Sequence, residues 1–318
     1  MDQPRRMESQ GRRITVADDL RGYAFIAPFM AVFLIFIGYP LFYSFWISLH
    51  EATIYSDFYN VFGTMRYVGG ANYARTVHDP EFWWSLVLTF IYATLTIFPG
   101  MAMSLVLAVF LSKKGRLFGF LRSGFFLPNV FDVYVVGVIW LLIFNPSGFL
   151  QPIFGALGFD TLAKNGVLGY RFTTLPAIAL AMVLKNAGFG MVLFLTSLSN
   201  MNESVFEAAD VDGATPWQKL RHITIPLLRP IIFFLTVTGL VGTLNAFSEI
   251  YAMTDDTGGP TVGSAGGASL SAAKISGYYL FKAFNSANYG DAAAISFLLL
   301  IFALLISGLS YKLMNPKD

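Results

Sequence analysis

Apolar residues gather into six long runs, at roughly 23–49, 83–111, 120–144, 174–199, 226–251 and 292–313, with short polar stretches between them. A helix needs about 20 residues to cross about 30 Å of hydrocarbon, and each run meets that length. The pattern predicts an all-α membrane protein with six transmembrane helices. A polar arm over residues 1–22 precedes the membrane domain, which covers 23–314. The first run is far longer than the core of a cleavable signal peptide, about 7–15 residues, so it is predicted to remain as a span. Trp46, Trp83, Trp84 and Tyr311 fall near span ends, as interfacial anchors do.

Composition supports this reading. The 318-residue chain is 55% hydrophobic and 13% charged, against about 25% charged for a soluble domain. A net charge of +2 is too small to suggest a nucleic-acid partner. The absence of cysteine excludes a disulfide framework and a thiolate metal site. His50, His78 and His222 are too scattered to suggest a metal cluster.

Charge placement predicts orientation. Arg5, Arg6, Arg12, Arg13 and Arg21 lie on the N-terminal arm, and Lys113, Lys114, Arg116 and Arg122 follow the second span. Lys219, Arg221 and Arg229 lie between the fourth and fifth spans, and Lys312 and Lys317 end the chain. The opposite loops carry fewer cations: Arg66, Arg75, Lys164, Arg171, Lys274 and Lys282. Both termini and the loop around Glu207 are therefore expected in the cytoplasm.

That loop, about residues 200–229, is the most informative segment. Its centre reads EAADVDGATPWQKLRHITIP over 207–226. Ser204 and Glu207 fit a capping box, and Thr215, Pro216 and Gln218 fit a second helix start. Gly213 between them can take the left-handed conformation that ends a helix. Two short helices and a sharp bend are predicted, closed by Pro226 and Pro230. Ala208 and Ala209 keep one face thin for a partner backbone.

The stretch resembles the cytoplasmic EAA loop of ABC-importer permeases, on Glu207, Ala208, Ala209, Gly213, Ile223 and Pro226, with Ile225 where that family usually has Leu. Other segments resemble carbohydrate-uptake permeases of the maltose type: APFMAVFLIFIGYPLFYSFWISL in the first span, LPNVFDVYVVGVIWLLIFNPSG at 127–148, LNAFSEIYAMTDDTGGP at 244–260 and YGDAAAISFLLLI at 289–301. There are departures. An extra residue separates Thr254 from Gly258, and 261–275 is longer and richer in Gly. A tryptophan common at the head of the fourth span is missing near Leu184, Lys185 and Asn186.

The resemblance implies a bacterial or archaeal cytoplasmic-membrane protein working by alternating access. It implies two ATP-binding subunits, a second and non-identical permease subunit, and an extracytoplasmic solute-binding protein. Glu207, Ala208, Ala209, Asp212, Gly213, Ile223 and Pro226 would couple to the ATPase. Lys185, Asn186 and Phe189 before the loop, and Gly239, Thr243, Asn245 and Ala246 after it, would line the solute path. The chain has no G-x-x-x-x-G-K-[ST] phosphate loop. It is expected to be non-catalytic and to bind no cofactor, with ATP and magnesium on the partner.

Charged groups inside spans are costly and normally face the bundle interior. Lys185 lies about 16 Å along the fourth span, and Asp132 about 18 Å along the third from the other side, at 1.5 Å per residue. They are expected near mid-membrane, where they could pair or where Lys185 could meet solute. Glu249 is expected at the outer end of the fifth span, facing water. The Gly/Ser-rich stretch GGPTVGSAGGAS over 258–269 is expected to be flexible.

The leading reading is the permease subunit of an ATP-driven importer of a sugar or related polyol. The same machinery could carry glycerol-phosphate, a polyamine or another small polar solute. A stand-alone secondary transporter, different in class, would need a carboxylate-built ion site in broken helices, and only Asp132 is suitably placed by sequence. No span holds a catalytic cluster.

Overall fold

The computed structural model describes residues 16–58 and 65–314. Arg5, Arg6, Arg12, Arg13 and Lys317 lie outside the described residues, as do the side chains of Arg21 and Tyr311.

The first span combines α1 (Val16–Phe33) and α2 (Tyr39–Ser48) through a π-helical turn, Leu34–Gly38. Pro40 lacks an N–H and crowds the preceding carbonyls, and the wide turn absorbs that defect without breaking the helix. A two-residue antiparallel pair, β1 (His50–Glu51) with β2 (Arg66–Tyr67), and the short α3 (Ala71–His78) follow.

The second span is α4 (Pro80–Phe110). Asp79 caps it by accepting from Glu81 N at 2.8 Å, with Pro80 in the first helical position.

The third run departs from its expected form. It divides into α5 (Arg116–Val130) and α6 (Val133–Phe144), bent by 99°. Pro128 removes one helical donor, and the Asp132 carboxylate accepts from Tyr134 N at 2.8 Å, starting a new helix. Asp132 is thus a cap at a bend, not a residue inside a continuous span.

Two small helices, α7 (Gln151–Ala156) and α8 (Asp160–Asn165), lead to the fourth span, α9 (Thr174–Ser199). Of the four unbroken spans it is the most enclosed, with 61% of its apolar stretch buried. In lipid, helices gain no hydrophobic drive towards one another, so small residues that admit a neighbour's backbone decide the packing. A Cβ on Gly188 would stand 2.1 Å from the Phe125 carbonyl oxygen of α5, and one on Gly190 would stand 2.4 Å from Ser104 Oγ of α4.

After α9 come α10 (Glu203–Val211), α11 (Pro216–Lys219), a π-helical turn (Leu220–Thr224) and α12 (Ile225–Leu227). A 63° bend then opens α13 (Arg229–Leu244). The fifth span was expected to run to 251. Instead it stops at Leu244 and resumes as α14 (Ser248–Thr254).

The Gly/Ser-rich stretch is also structured. Strands β3 (Thr261–Ala265) and β4 (Ala268–Ser271) form an antiparallel hairpin, with Ala265 opposite Ala268. Gly266 and Gly267 both have positive φ, 57° and 83°, which a tight two-residue turn between twisted strands requires. Trp84 Nε1 donates to Ser271 O at 2.9 Å and holds the hairpin to α4. The chain closes with α15 (Ser276–Asn285) and the last span, α16 (Tyr289–Met314).

The α4–α5 turn and the Glu207 loop share one end of the bundle. There Leu111, Phe118, Leu198, Met201 and Leu228 pack together. Arg122, counted above for its charge, donates to Leu111 O at 2.8 and 2.6 Å and satisfies the end of α4. Phe82, Ile295 and Tyr279 pack at the opposite end.

Candidate functional site

The site lies where α4, α9, α13 and the break after α13 converge. Tyr92, Thr96, Gly100 and Ser104 recur every fourth residue of α4 and present a small, polar stripe to α9 and α13. From α9 come Asn186 and Phe189, and from α13 come Thr238, Gly239 and Thr243. Asn245, Ala246, Phe247, Ser248 and Glu249 complete the wall. Together they line an open cavity of about 490 Å³.

The break after Leu244 is built, not frayed. Ser276 Oγ donates to Leu244 O at 3.1 Å, supplying a donor to a carbonyl that has lost its helical partner. Thr89 Oγ1 donates to Ser276 Oγ and accepts from Ser276 N, each at 2.9 Å. Gly277 brings α15 against the opened backbone at Asn245 and Ala246.

Six of the seven residues expected on the solute path line this cavity: Asn186, Phe189, Gly239, Thr243, Asn245 and Ala246. The Asn186 side chain has no hydrogen-bond partner among the described residues, and it is exposed on the cavity wall with Phe189. Thr243 and Asn245, both on the cavity wall, donate back to Leu240 O and Val241 O, each at 3.0 Å. The seventh, Lys185, is 6% exposed and stands behind the wall. Asp132 and Glu249 are the carboxylates near enough to act on its charge. Neither forms a salt bridge with it among the described residues. The expected Asp132–Lys185 pair is therefore not closed, because Asp132 is occupied as the α6 cap.

Glu249 corrects a further expectation. It does not face water at the outer end of a span. It is 8% exposed, lines the cavity and accepts from Tyr92 Oη at 2.9 Å. Sequence reasoning also missed the α4 stripe, although its four-residue spacing was available in the second apolar run.

The second part of the site is the protruding loop. Asn202, not Ser204, caps α10: its Oδ1 accepts from Ser204 N at 3.1 Å. Glu207 is consequently in mid-helix and exposed, free of any capping box. The second expected box is present. Gln218 N donates to Thr215 Oγ1 at 3.3 Å, and Thr215 N donates to Gln218 Oε1 at 2.7 Å.

Gly213 takes φ 73° at the bend, and Ala214 N reaches back to Ala209 O at 2.9 Å. Ala208, Asp212 and Gly213 are exposed, Ala209 is buried, and Ile223 and Pro226 are half-buried. An ion pair between Lys219 and Asp210 ties the two arms. Val211 and Trp217, 88% and 67% exposed, stand out on this otherwise polar loop. At its base Leu228 is wholly buried against Ala108, Met191 and Phe194, on the helices that wall the cavity. The base of the loop and the cavity thus share the same packed helices.

A polytopic helical bundle with a polar-lined chamber, mechanically joined to an exposed two-helix loop, defines a membrane-transport subunit. Comparison with known proteins narrows the class. Residues 79–317 match the family described as "Binding-protein-dependent transport system inner membrane component", and the chain belongs to that family.

Among its relatives, the lactose transport system permease protein LacF of Rhizobium radiobacter is 32% identical over 244 residues, covering 76% of this chain and 78% of that protein. The trehalose/maltose transport system permease protein MalF of Thermococcus litoralis is 30% identical over 284 residues, covering 89% and 90%. The fold is that of a bacterial ABC transporter involved in the import of the acidic polysaccharide alginate, with a TM-score of 0.73 at 21% identity, over 94% of this chain and 96% of that one. The protein is a multi-pass inner-membrane transport permease with an EAA-type loop.

Proposed function

We propose that this chain is the permease subunit of an ATP-driven importer that moves a sugar or related polyol by alternating access. One observation carries the reading: the cavity gathers the Asn186 and Asn245 amides, the Thr243 hydroxyl and the Phe189 ring from helices on both sides of the loop. Amides and hydroxyls suit the hydroxyls of a sugar, and an aromatic ring suits its C–H face. Relatives named for lactose and for trehalose/maltose support the same class of solute.

Glu207, Ala208, Ala209, Asp212, Gly213, Ile223 and Pro226 engage an ATPase subunit on the cytoplasmic side, with Val211 and Trp217 as apolar contacts. ATP and magnesium act on that partner, and this chain performs no hydrolysis. A second permease subunit completes the path, and an extracytoplasmic binding protein delivers the solute. A structural relative in complex with an alginate pentasaccharide-bound periplasmic protein supports that arrangement. Both termini face the cytoplasm. Movement of the loop shifts α9 and α13 as rigid bodies and opens the cavity to one side or the other.

The broken fifth span with a carboxylate beside it is a feature that a stand-alone secondary transporter would also have. Family membership and the exposed loop favour the importer. Purification from the native membrane tests this. The chain should bring an ATPase with it, and the reconstituted complex should hydrolyse ATP faster when lactose- or trehalose-class sugars and the binding protein are added. Solute uptake by the isolated chain, without ATP, would defeat the reading.

A further inference from the structure

Glu249 supplies the one acidic or basic side chain among the residues that line the cavity. Lys185 is buried behind the wall, and Asp132, exposed at the α5–α6 bend, is not among the lining residues, so a solute inside meets a carboxylate and no ammonium or guanidinium. Tyr92 Oη engages Glu249 Oε1 at 2.9 Å, and no described residue donates to Oε2. Oε2 is therefore open to the cavity, on a side chain otherwise more than nine-tenths buried in its wall.

We propose that Glu249 is a specificity-determining residue that restricts this permease to neutral or aminated saccharides and rejects those bearing carboxylates. The proposal rests on the sugar reading above and adds the charge class of the solute. Carboxylates accept hydrogen bonds from hydroxyls more strongly than neutral acceptors do. A neutral sugar can therefore donate to Oε2, and an amino sugar can pair with it. A uronate brings a like charge beside it, and specificity through such repulsion is common at recognition sites. The Tyr92 hydroxyl fixes the carboxylate, so it cannot turn away to admit an anion. The chain thus differs in solute charge from the importer of acidic alginate with which it shares its fold.

Equilibrium dialysis of the purified, complete transporter in detergent tests this without dependence on the binding protein. Three radiolabelled probes on one disaccharide skeleton are needed: the neutral sugar, its glucosamine counterpart and its glucuronate counterpart. The wild type should retain the first two and bind the glucuronate about tenfold or more weakly. Glu249→Gln should narrow that gap, chiefly by weakening the glucosamine probe. Tyr92→Phe, which frees the carboxylate to turn, should relax the exclusion of the glucuronate probe while the glucosamine probe still binds.

Wild-type binding of the glucuronate as tight as that of the neutral probe would overturn the proposal, even if neither variant folds. An unchanged preference in well-folded Glu249→Gln would overturn it too. Binding of none of the three, by a complex whose ATPase is still stimulated by another class of solute, would instead remove the sugar reading on which it rests.

Discussion

Gly277 faces Ala246 so closely that a Cβ on the glycine would lie 2.5 Å from the alanine's carbonyl oxygen. The close approach lets α15 seal the break in the fifth span, with Ser276 donating to Leu244 O beside it. Gly277→Ala should therefore push α15 away and lower both the melting temperature of the purified complex and its transport rate. Ser276→Ala leaves the Leu244 carbonyl without that donor, a loss of about 1–3 kcal/mol. If Gly277→Ala retains wild-type melting and transport, the break does not depend on this contact.

Gly213 takes φ 73° at the bend of the exposed loop. Proline cannot adopt a positive φ and lacks the N–H that Gly213 donates to Asp210 O at 3.1 Å. Gly213→Pro should abolish solute-stimulated ATP hydrolysis while membrane insertion continues. Glu207→Lys, a charge reversal on an exposed and uncapped helix position, should do the same. Normal stimulation in both variants would separate the loop from coupling.

Orientation can be read with single cysteines, since the chain has none of its own. Val211→Cys, on the loop, should resist a membrane-impermeant thiol reagent in intact cells. Ser264→Cys, on the exposed side of the β3–β4 hairpin, should react. The reverse labelling pattern would invert the orientation inferred from charge.

Asp132 serves as a helix cap, so its amide should be tolerated better than an apolar side chain. Asparagine caps helices about as well as aspartate does, whereas loss of a cap costs about 1 kcal/mol. Asp132→Asn should retain folded yield and transport, and Asp132→Leu should lose yield. Equal losses from the two substitutions would show that the negative charge near Lys185, not the cap, is what matters.

Six runs of apolar residues were visible in the sequence because lipid demands length and hydropathy, and both are local properties. The helix breaks were not. Asp132 and Asn245 interrupt helices within apolar runs, and hydropathy does not register where a carboxylate will cap or where Ser276, far along the chain, will satisfy a carbonyl. Six residues of the cavity wall were accessible through the family resemblance, which pointed to the helices on either side of the loop. Glu249 was misjudged because its depth was counted along a helix that ends at Leu244. The first loop helix shows a smaller version of the same limit: Asn202 and Ser204 are both good caps, and only the backbone shows which one is used. The Gly/Ser-rich stretch misled in the other direction, since the glycines that suggested flexibility make the Gly266–Gly267 turn possible.

The shortness of α13 has a consequence for the idle membrane. Its 16 residues rise about 24 Å, less than the hydrocarbon thickness of about 30 Å. Open backbone at Asn245–Phe247 therefore lies at the depth of lipid tails, where it persists only beside protein or water. A chamber wet enough to receive a hydroxylated solute is also wet enough to conduct protons. In an energised cell the chain must be electrically insulated whenever no cargo is passing. In the proposed assembly, the second permease subunit would supply the rest of that insulation.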